Sequence, residues 1–269
     1  MAEKRANEKK AVAAEPASAA PATGPAQPLF YRKVVPLNRD QHRNLYVDPE
    51  PGFGFARDTN CVFVATVEFL PVAREYPIVF GQAPDGSCFP LALLGIRNNQ
   101  NLYLDTDGQW RAKYIPAYIR RYPFILANNA DGSSFAVCID ESYPGFNTAR
   151  EGQPLLTEQG ADGPLLQRSV EFLKDYQAQI ARTTEFCAVL RELNVLEPVQ
   201  AQVALKSGEK LSLTGMLCVN RERLQKLDDA RLLGLVRREF LELIYLHLHS
   251  LQNMDALLDR LPPIAVAQA

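Results

Sequence analysis

The 269-residue sequence lacks the patterns of a membrane-spanning or disulfide-rich secreted protein. No run of about 18 apolar residues occurs, so the sequence predicts no transmembrane helix. The five cysteines form no Cys-x-x-Cys pair, and their odd number and apolar surroundings favour buried, reduced thiols in a cytoplasmic protein. Lys and Arg number 29 against 31 Asp and Glu, and this balance gives no electrostatic reason to bind nucleic acid or an anionic membrane.

Complete motifs for cofactors and metals are missing as well. The sequence has no phosphate-binding Gly-x-x-x-x-Gly-Lys loop, and Arg57 stands where the run beginning Gly52-Phe53-Gly54 would need its third dinucleotide-loop glycine. Asp105 could open a calcium loop, but the twelfth position, which requires a glutamate, is Pro116. His247 and His249 are two apart on a predicted helix and point away from each other. We therefore predict no cofactor and no metal site.

Catalytic side chains cannot be assigned from motifs. No Gly-x-Ser-x-Gly elbow exists, and the cysteines fit a buried core better than a nucleophile. Asp140 and Glu141 follow a predicted strand, and His42 lies in a polar loop. A cofactor-independent tailoring enzyme that uses these groups or a thiol is kept as the alternative to a binding protein.

The N-terminal residues 1–29 differ in composition from the rest of the chain. They are dominated by Ala and Pro and contain almost no large apolar side chain, so we expect a disordered tail. The Ala-rich part is broken by Glu15, Pro16, Ser18 and Pro21, which argues against a signal peptide. Residues 30–260 are predicted to form a single domain in the cytoplasm, or outside it if the protein is exported without a signal peptide.

Short apolar runs alternate with turn residues through the first half of the chain. Asp-Gly pairs, the strongest short-range sign of a hairpin, separate or flank these runs at 85–86, 107–108 and 131–132. We therefore predict an antiparallel, curved sheet. Its strands are expected at residues 31–35, with Pro36 at an edge or end, and at 62–69, 78–80, 89–96, 101–105 and 135–140.

Helical spacing dominates the second half. Apolar residues from Leu166 to Leu193 recur on one helical face, after Pro164 at the first turn and before Asn194 as a left-handed cap. A hairpin is predicted from 199–205 to 210–219, followed by one long helix that Asp228 or Asp229 caps and that continues to Met254. Strands first, then helices and a hairpin, predict an α+β fold.

The most distinctive segment, residues 108–124, combines aromatic and basic side chains. Pro116 is suited to start a short helix and Pro123 to stop it, and tyrosines at every fourth position would form one stripe. Aromatic rings beside guanidinium groups are used for stacking and for contacts to anions. The alternative is a packed aromatic helix whose arginines pair with acidic side chains of the sheet. The predicted binding residues are Trp110, Tyr114, Tyr118, Arg120 and Arg121.

The order of several short motifs resembles the bacterial SapC family over about residues 33–258. The motifs include Val35-Pro36-Leu37-Asn38-Arg39, Tyr76-Pro77-Ile78-Val79-Phe80, Glu151-Gly152-Gln153-Pro154-Leu155 and Tyr245-Leu246-His247, together with the aromatic segment. The resemblance implies association with a locus for a bacterial surface layer, export or surface-nutrient uptake. It brings no catalytic residues. We therefore expect a non-catalytic accessory protein that recognises a peptide or protein partner; the sequence gives no oligomeric state.

Overall fold

The computed structural model describes residues 28–48, 51–128, 135–204 and 210–261. These residues form an α+β fold, as predicted, in which the sheets are antiparallel but open and uncurled rather than curved. Most of the expected tail, residues 1–27, and the Asp131-Gly132 turn lie outside the described residues. None of the described helices combines the length and the apolar composition needed to cross a bilayer.

The largest sheet has five strands in the order β10-β11-β4-β5-β3. The hairpin of β4 and β5 turns at Asp85-Gly86, as predicted. The predicted second hairpin, of β10 and β11, extends this sheet through the pairing of Leu217 with Phe80. The strands span Cys61–Phe63 (β3), Ile78–Gln82 (β4), Cys88–Leu93 (β5), Leu196–Ala204 (β10) and Lys210–Val219 (β11).

Two smaller sheets carry the remaining strands. One has the order β1-β7-β6 and leaves the Pro36-containing strand at its edge, where proline's missing N–H costs no ladder bond. The other has the order β8-β2-β9 and consists of two-residue strands. Their bounds are Val34–Pro36 (β1), Tyr46–Val47 (β2), Phe124–Asn128 (β6), Phe135–Asp140 (β7), Phe146–Asn147 (β8) and Gln153–Pro154 (β9).

The longest helix, α3, spans Pro164–Glu192 and confirms the amphipathic pattern. Pro164 occupies its first turn, and Asn194 adopts a φ of 51° just beyond its end. Shorter helices lie at Phe69–Ala73 (α1), Ala117–Arg120 (α2) and Arg221–Gln225 (α4).

The prediction of one long C-terminal helix is wrong. Three helices occupy that stretch: Asp229–Arg237 (α5), Phe240–Ser250 (α6) and Asn253–Asp259 (α7). Asp228 does cap α5, because its carboxylate accepts the backbone N–H of Arg231 at 2.9 Å. Glu239 has a φ of 62°, a left-handed conformation that breaks the helix.

The predicted set of strands also needs correction. The run 62–69 stays extended only to Phe63 and then enters a 3₁₀ turn, Thr66–Glu68, because the Glu68 carboxylate turns back to the N–H of Ala65 at 2.9 Å. Residues 101–105 form no strand and contribute only the isolated bridge from Leu104 to Trp110. Conversely, β6 was not predicted, although its apolar Phe-Ile-Leu-Ala sequence is compatible with a strand.

Two clusters of buried side chains fill the interior. The larger lies around the five-stranded sheet with α1, α3 and α6, and the smaller around β1, β6, β7 and the start of α3. Phe30 and Phe55 pack against both clusters, with their ring centroids 5.2 Å apart.

Candidate functional site

The aromatic segment is fixed to the body of the protein by two glutamates. The Glu75 carboxylate accepts the backbone N–H groups of Lys113 and Tyr114, both at 2.9 Å. Oε1 of the buried Glu68 accepts the N–H of Ala117 at 2.7 Å and the Tyr114 hydroxyl at 2.9 Å. Burial raises the pKa of Glu68, and these hydrogen bonds oppose that rise. The segment is therefore held in a defined conformation rather than as a free loop.

Trp110 packs into an aromatic wall and is only partly exposed. Its indole N–H donates to the Tyr76 hydroxyl at 2.7 Å, and that hydroxyl donates in turn to the carbonyl of Tyr114. The Trp110 ring also stacks on Tyr103 and meets the edge of Phe53. Trp110 and Tyr114 thus come together through Tyr76, a residue that the sequence argument did not single out.

Tyr118 and Arg121 form a second, mostly buried group. The Arg121 guanidinium lies 3.9 Å from the centroid of the Tyr118 ring and 5.7 Å from those of Tyr31 and Tyr176. No ion pair involves Arg121 in the described part of the chain, so the alternative in which the arginines pair with acidic side chains does not hold for this residue. Aromatic faces stabilise its charge instead.

Arg120 is the exposed member of the predicted set. Its guanidinium lies 4.9 Å from the Phe172 ring centroid on α3, and its Nε donates to the carbonyl of Ile115 at 2.9 Å. The predicted stripe of three tyrosines does not form, because α2 is one turn long and both Tyr114 and Tyr122 lie outside it. Of the five predicted binding residues, only Arg120 presents a charged group at the surface.

A groove that the sequence analysis missed lies between α1, α3 and α6 and has a volume of about 320 Å³. Val67 and Leu70 are 62% and 50% exposed, which is unusual for aliphatic side chains grouped at one site. Assigning residues 62–69 to a strand concealed that Val67 and Leu70 share one side of a short helical segment. The groove is lined by Thr66, Val67, Leu70, Gln179, Arg182, Glu239, Glu242, Leu243 and Leu246.

Charged side chains surround this apolar floor. Arg182 and Glu239 form an ion pair at 2.8 Å across the rim. Glu242 is exposed and has no ion-pair partner within the ranges that the structure describes. The Phe172 ring, which lies beside the Arg120 guanidinium, is seven residues before Gln179 on α3. Phe172 and Gln179 therefore share one face of this helix, about 10 Å apart along its axis. The groove therefore has an acidic group at its rim and a basic group about two helical turns away.

Asp140 is a structural acceptor. Its buried carboxylate accepts the N–H groups of Arg32, Lys33 and Ser142 at 2.8 to 3.0 Å, and the Ser142 hydroxyl at 2.6 Å. Burial alone would raise the pKa of Asp140, but these hydrogen bonds outweigh burial and lower it. The carboxylate therefore stays ionised and joins β7 to the residues before β1.

His42 and Glu141, which were also considered as catalytic groups for the alternative of an enzyme, lie next to each other in the structure. His42 Nε2 lies 3.1 Å from a carboxylate oxygen of Glu141, and Nδ1 accepts the N–H of Asn38 at 3.0 Å. Lys33 binds the same glutamate at 2.7 Å, and both contacts lower the pKa of Glu141. Each ring nitrogen is thus engaged within the protein, so the pair serves to hold the 38–42 turn.

All five cysteines are free thiols, and three of them lie in apolar surroundings. Burial raises the pKa of Cys61 to about 11 and that of Cys218 to about 12, and it also raises the pKa of Cys138. Among the described residues, no three His, Cys, Asp or Glu side chains meet in an arrangement that could hold a metal ion.

Comparison with known proteins identifies the family. The SapC family model matches residues 37–257, most of the chain, and the protein therefore belongs to the SapC family. No curated protein and no solved structure matches the chain significantly.

Proposed function

We propose that this SapC-family protein is a non-catalytic accessory protein of a bacterial surface-layer, export or surface-nutrient-uptake system. It binds a protein partner through the groove between α1, α3 and α6. The exposure of Val67 and Leu70 at a concave site carries this proposal. When a partner covers aliphatic side chains that a groove leaves exposed to water, the free energy of the complex falls.

The occupant that best fits the groove is an amphipathic helix of the partner. Its apolar residues, three or four apart, would cover the leucines of the groove floor, as in other helix-in-groove complexes. A basic side chain would meet the unpaired Glu242, and an acidic one two turns away would meet Arg120. This charge pattern would fix the direction of the bound helix.

Site-specific photo-crosslinking in the native bacterium tests this proposal. A photoreactive phenylalanine analogue replaces Gln179, which lines the groove, and the cross-linked partner segment is sequenced by mass spectrometry. We expect one partner segment with apolar residues at helical spacing and a basic flank. Leu70→Asp should abolish the adduct, because it buries a charge in the contact.

Val236→Asp is the matched control. Val236 is 52% exposed, close to the 50% of Leu70, but it lies on α5 and does not line the groove. This variant should keep the adduct. If both variants retain it, or if the cross-linked segment has no apolar face, the groove is not the recognition site.

A further inference from the structure

Cys88 and Cys187 are 99 residues apart in sequence but adjacent in the structure. Cys88 begins β5 and Cys187 lies in the last third of α3. The Cys88 sulfur donates to the backbone carbonyl of Cys187 at 3.4 Å, so it lies against the residue that carries the second thiol. The described residues therefore contain a vicinal thiol pair that no sequence motif reveals.

The two thiols have different surroundings. Cys88 is partly exposed beside the β4–β5 turn, whereas Cys187 is buried in the core. A hydrogen bond from the Cys187 thiol and the nearby Arg191 guanidinium lower the pKa of Cys88. The same hydrogen bond and burial raise the pKa of Cys187. An accessible sulfur next to a protected thiol is the arrangement of an attacking and a resolving cysteine.

We propose that Cys88 and Cys187 form a reversible redox site that a hydroperoxide oxidises to a disulfide. The Cys88 thiolate attacks the terminal peroxide oxygen, the O–O bond breaks, and the departing alkoxide or hydroxide takes up a proton. The Cys187 thiol then attacks the sulfur of the Cys88 sulfenic acid and displaces water. Two thiols thus lose two electrons to one peroxide, and a thiol reductant returns both sulfurs to the starting state.

The disulfide would join the five-stranded sheet to the C-terminal part of α3. Its formation requires the two sulfurs to approach to about 2 Å through rotation of the two side chains. Because the bridge would close a long loop of the chain, we expect the oxidised form to unfold at a temperature several degrees above that of the reduced form.

The test treats the folded full-length protein with a few equivalents of hydrogen peroxide, followed by alkylation and mass spectrometry. We expect the mass to fall by two hydrogens and the peptide map to show one bridge, from Cys88 to Cys187. Dithiothreitol should reverse both changes. The buried Cys61, Cys138 and Cys218 should stay reduced and serve as internal controls.

Two variants separate the roles of the sulfurs. Cys187→Ala should stop the reaction at a sulfenic acid on Cys88 that dimedone traps, while Cys88→Ser should consume peroxide at least ten times more slowly. The proposal is overturned if wild-type protein forms a different bridge. It is also overturned if peroxide oxidises Cys88 in the Cys187→Ala variant while both thiols of the wild-type protein remain alkylatable under the same conditions. The wild-type map alone decides the matter if either variant fails to fold.

Discussion

Arg120 and Arg121 are neighbours in sequence but occupy different environments. The Arg121 guanidinium is enclosed by the rings of three tyrosines, whereas Arg120 lies over Phe172 at the surface. Aromatic rings surround Arg121 in place of the carboxylate partner that the packed-helix alternative gives to these arginines. Adjacent residues of a helix diverge by about 100°, and this divergence alone separates the two roles.

Replacing each arginine by alanine should therefore give different losses of stability. Arg121→Ala should lower the free energy of unfolding by roughly 2 kcal/mol, because it removes a desolvated cation–π contact and opens a cavity. Arg120→Ala should cost less than about 1 kcal/mol, since its contacts are at the surface. Urea unfolding of both variants measures the difference. Equal losses would show that Arg120 also supports the core.

At the scale of elements, His247 connects α6 to the five-stranded sheet. Its Nε2 accepts the N–H of Val219 on β11 at 3.1 Å, and its Nδ1 donates to the carbonyl of Ile78 on β4 at 2.8 Å. The ring must be neutral to accept the first bond, and burial lowers the pKa of His247 to about 4. His249 is exposed on the same helix, so the predicted divergence of these two histidines is confirmed.

This buried histidine predicts a loss of stability in mild acid. Between the unfolded pKa of about 6.5 and the folded value of about 4, the unfolded chain binds more protons, so stability falls as the pH falls. The free energy of unfolding should drop by about 2 kcal/mol from pH 7 to pH 5. His247→Gln should flatten this part of the profile in urea unfolding, and His249→Gln should leave it unchanged. A wild-type slope in His247→Gln would contradict the assignment.

Elements with strong local signals were predictable from the sequence. α3 carries both a periodic apolar face and end signals, Pro164 and Asn194, and its bounds were predicted within a residue. The turn at Thr66–Glu68 was not predictable from the sequence. The buried Glu68 carboxylate needs hydrogen bonds from Tyr114 and Ala117, which lie far along the chain. The groove depends on that turn, so a candidate site built from local motifs could not include it.

At the scale of the whole molecule, residues that precede the part matched by the family model also pack into the interior. That match starts at residue 37, but Phe30 and Tyr31 already pack against Tyr122 and other rings of the smaller cluster. The sequence predicts the boundary near residue 30 because large apolar residues first appear there. Whether residues 30–260 behave as one cooperative unit stays a prediction.

Truncation at two points tests this boundary. Removing residues 1–27 should leave the thermal midpoint within about 2 °C of that of the intact protein, because this segment has few apolar side chains to dock. Removing residues 1–31 should lower it by several degrees, since the rings of Phe30 and Tyr31 are lost from the cluster. Calorimetry of both truncations provides the measurement. A large drop in the thermal midpoint after removal of residues 1–27 would place the boundary nearer the N-terminus.

The strand order of the large sheet also has a consequence for synthesis on the ribosome. β4 lies at the middle of the sheet, yet its neighbour β11 and its hydrogen-bonding partners on α6 come from the end of the chain; Ile78 and Ser250 are separated by 172 residues. At the usual speed of translation, the open edge of β4 would wait roughly ten to thirty seconds for these partners. During that interval the nascent chain presents an unpaired strand, which makes β4 the segment to which a chaperone would bind.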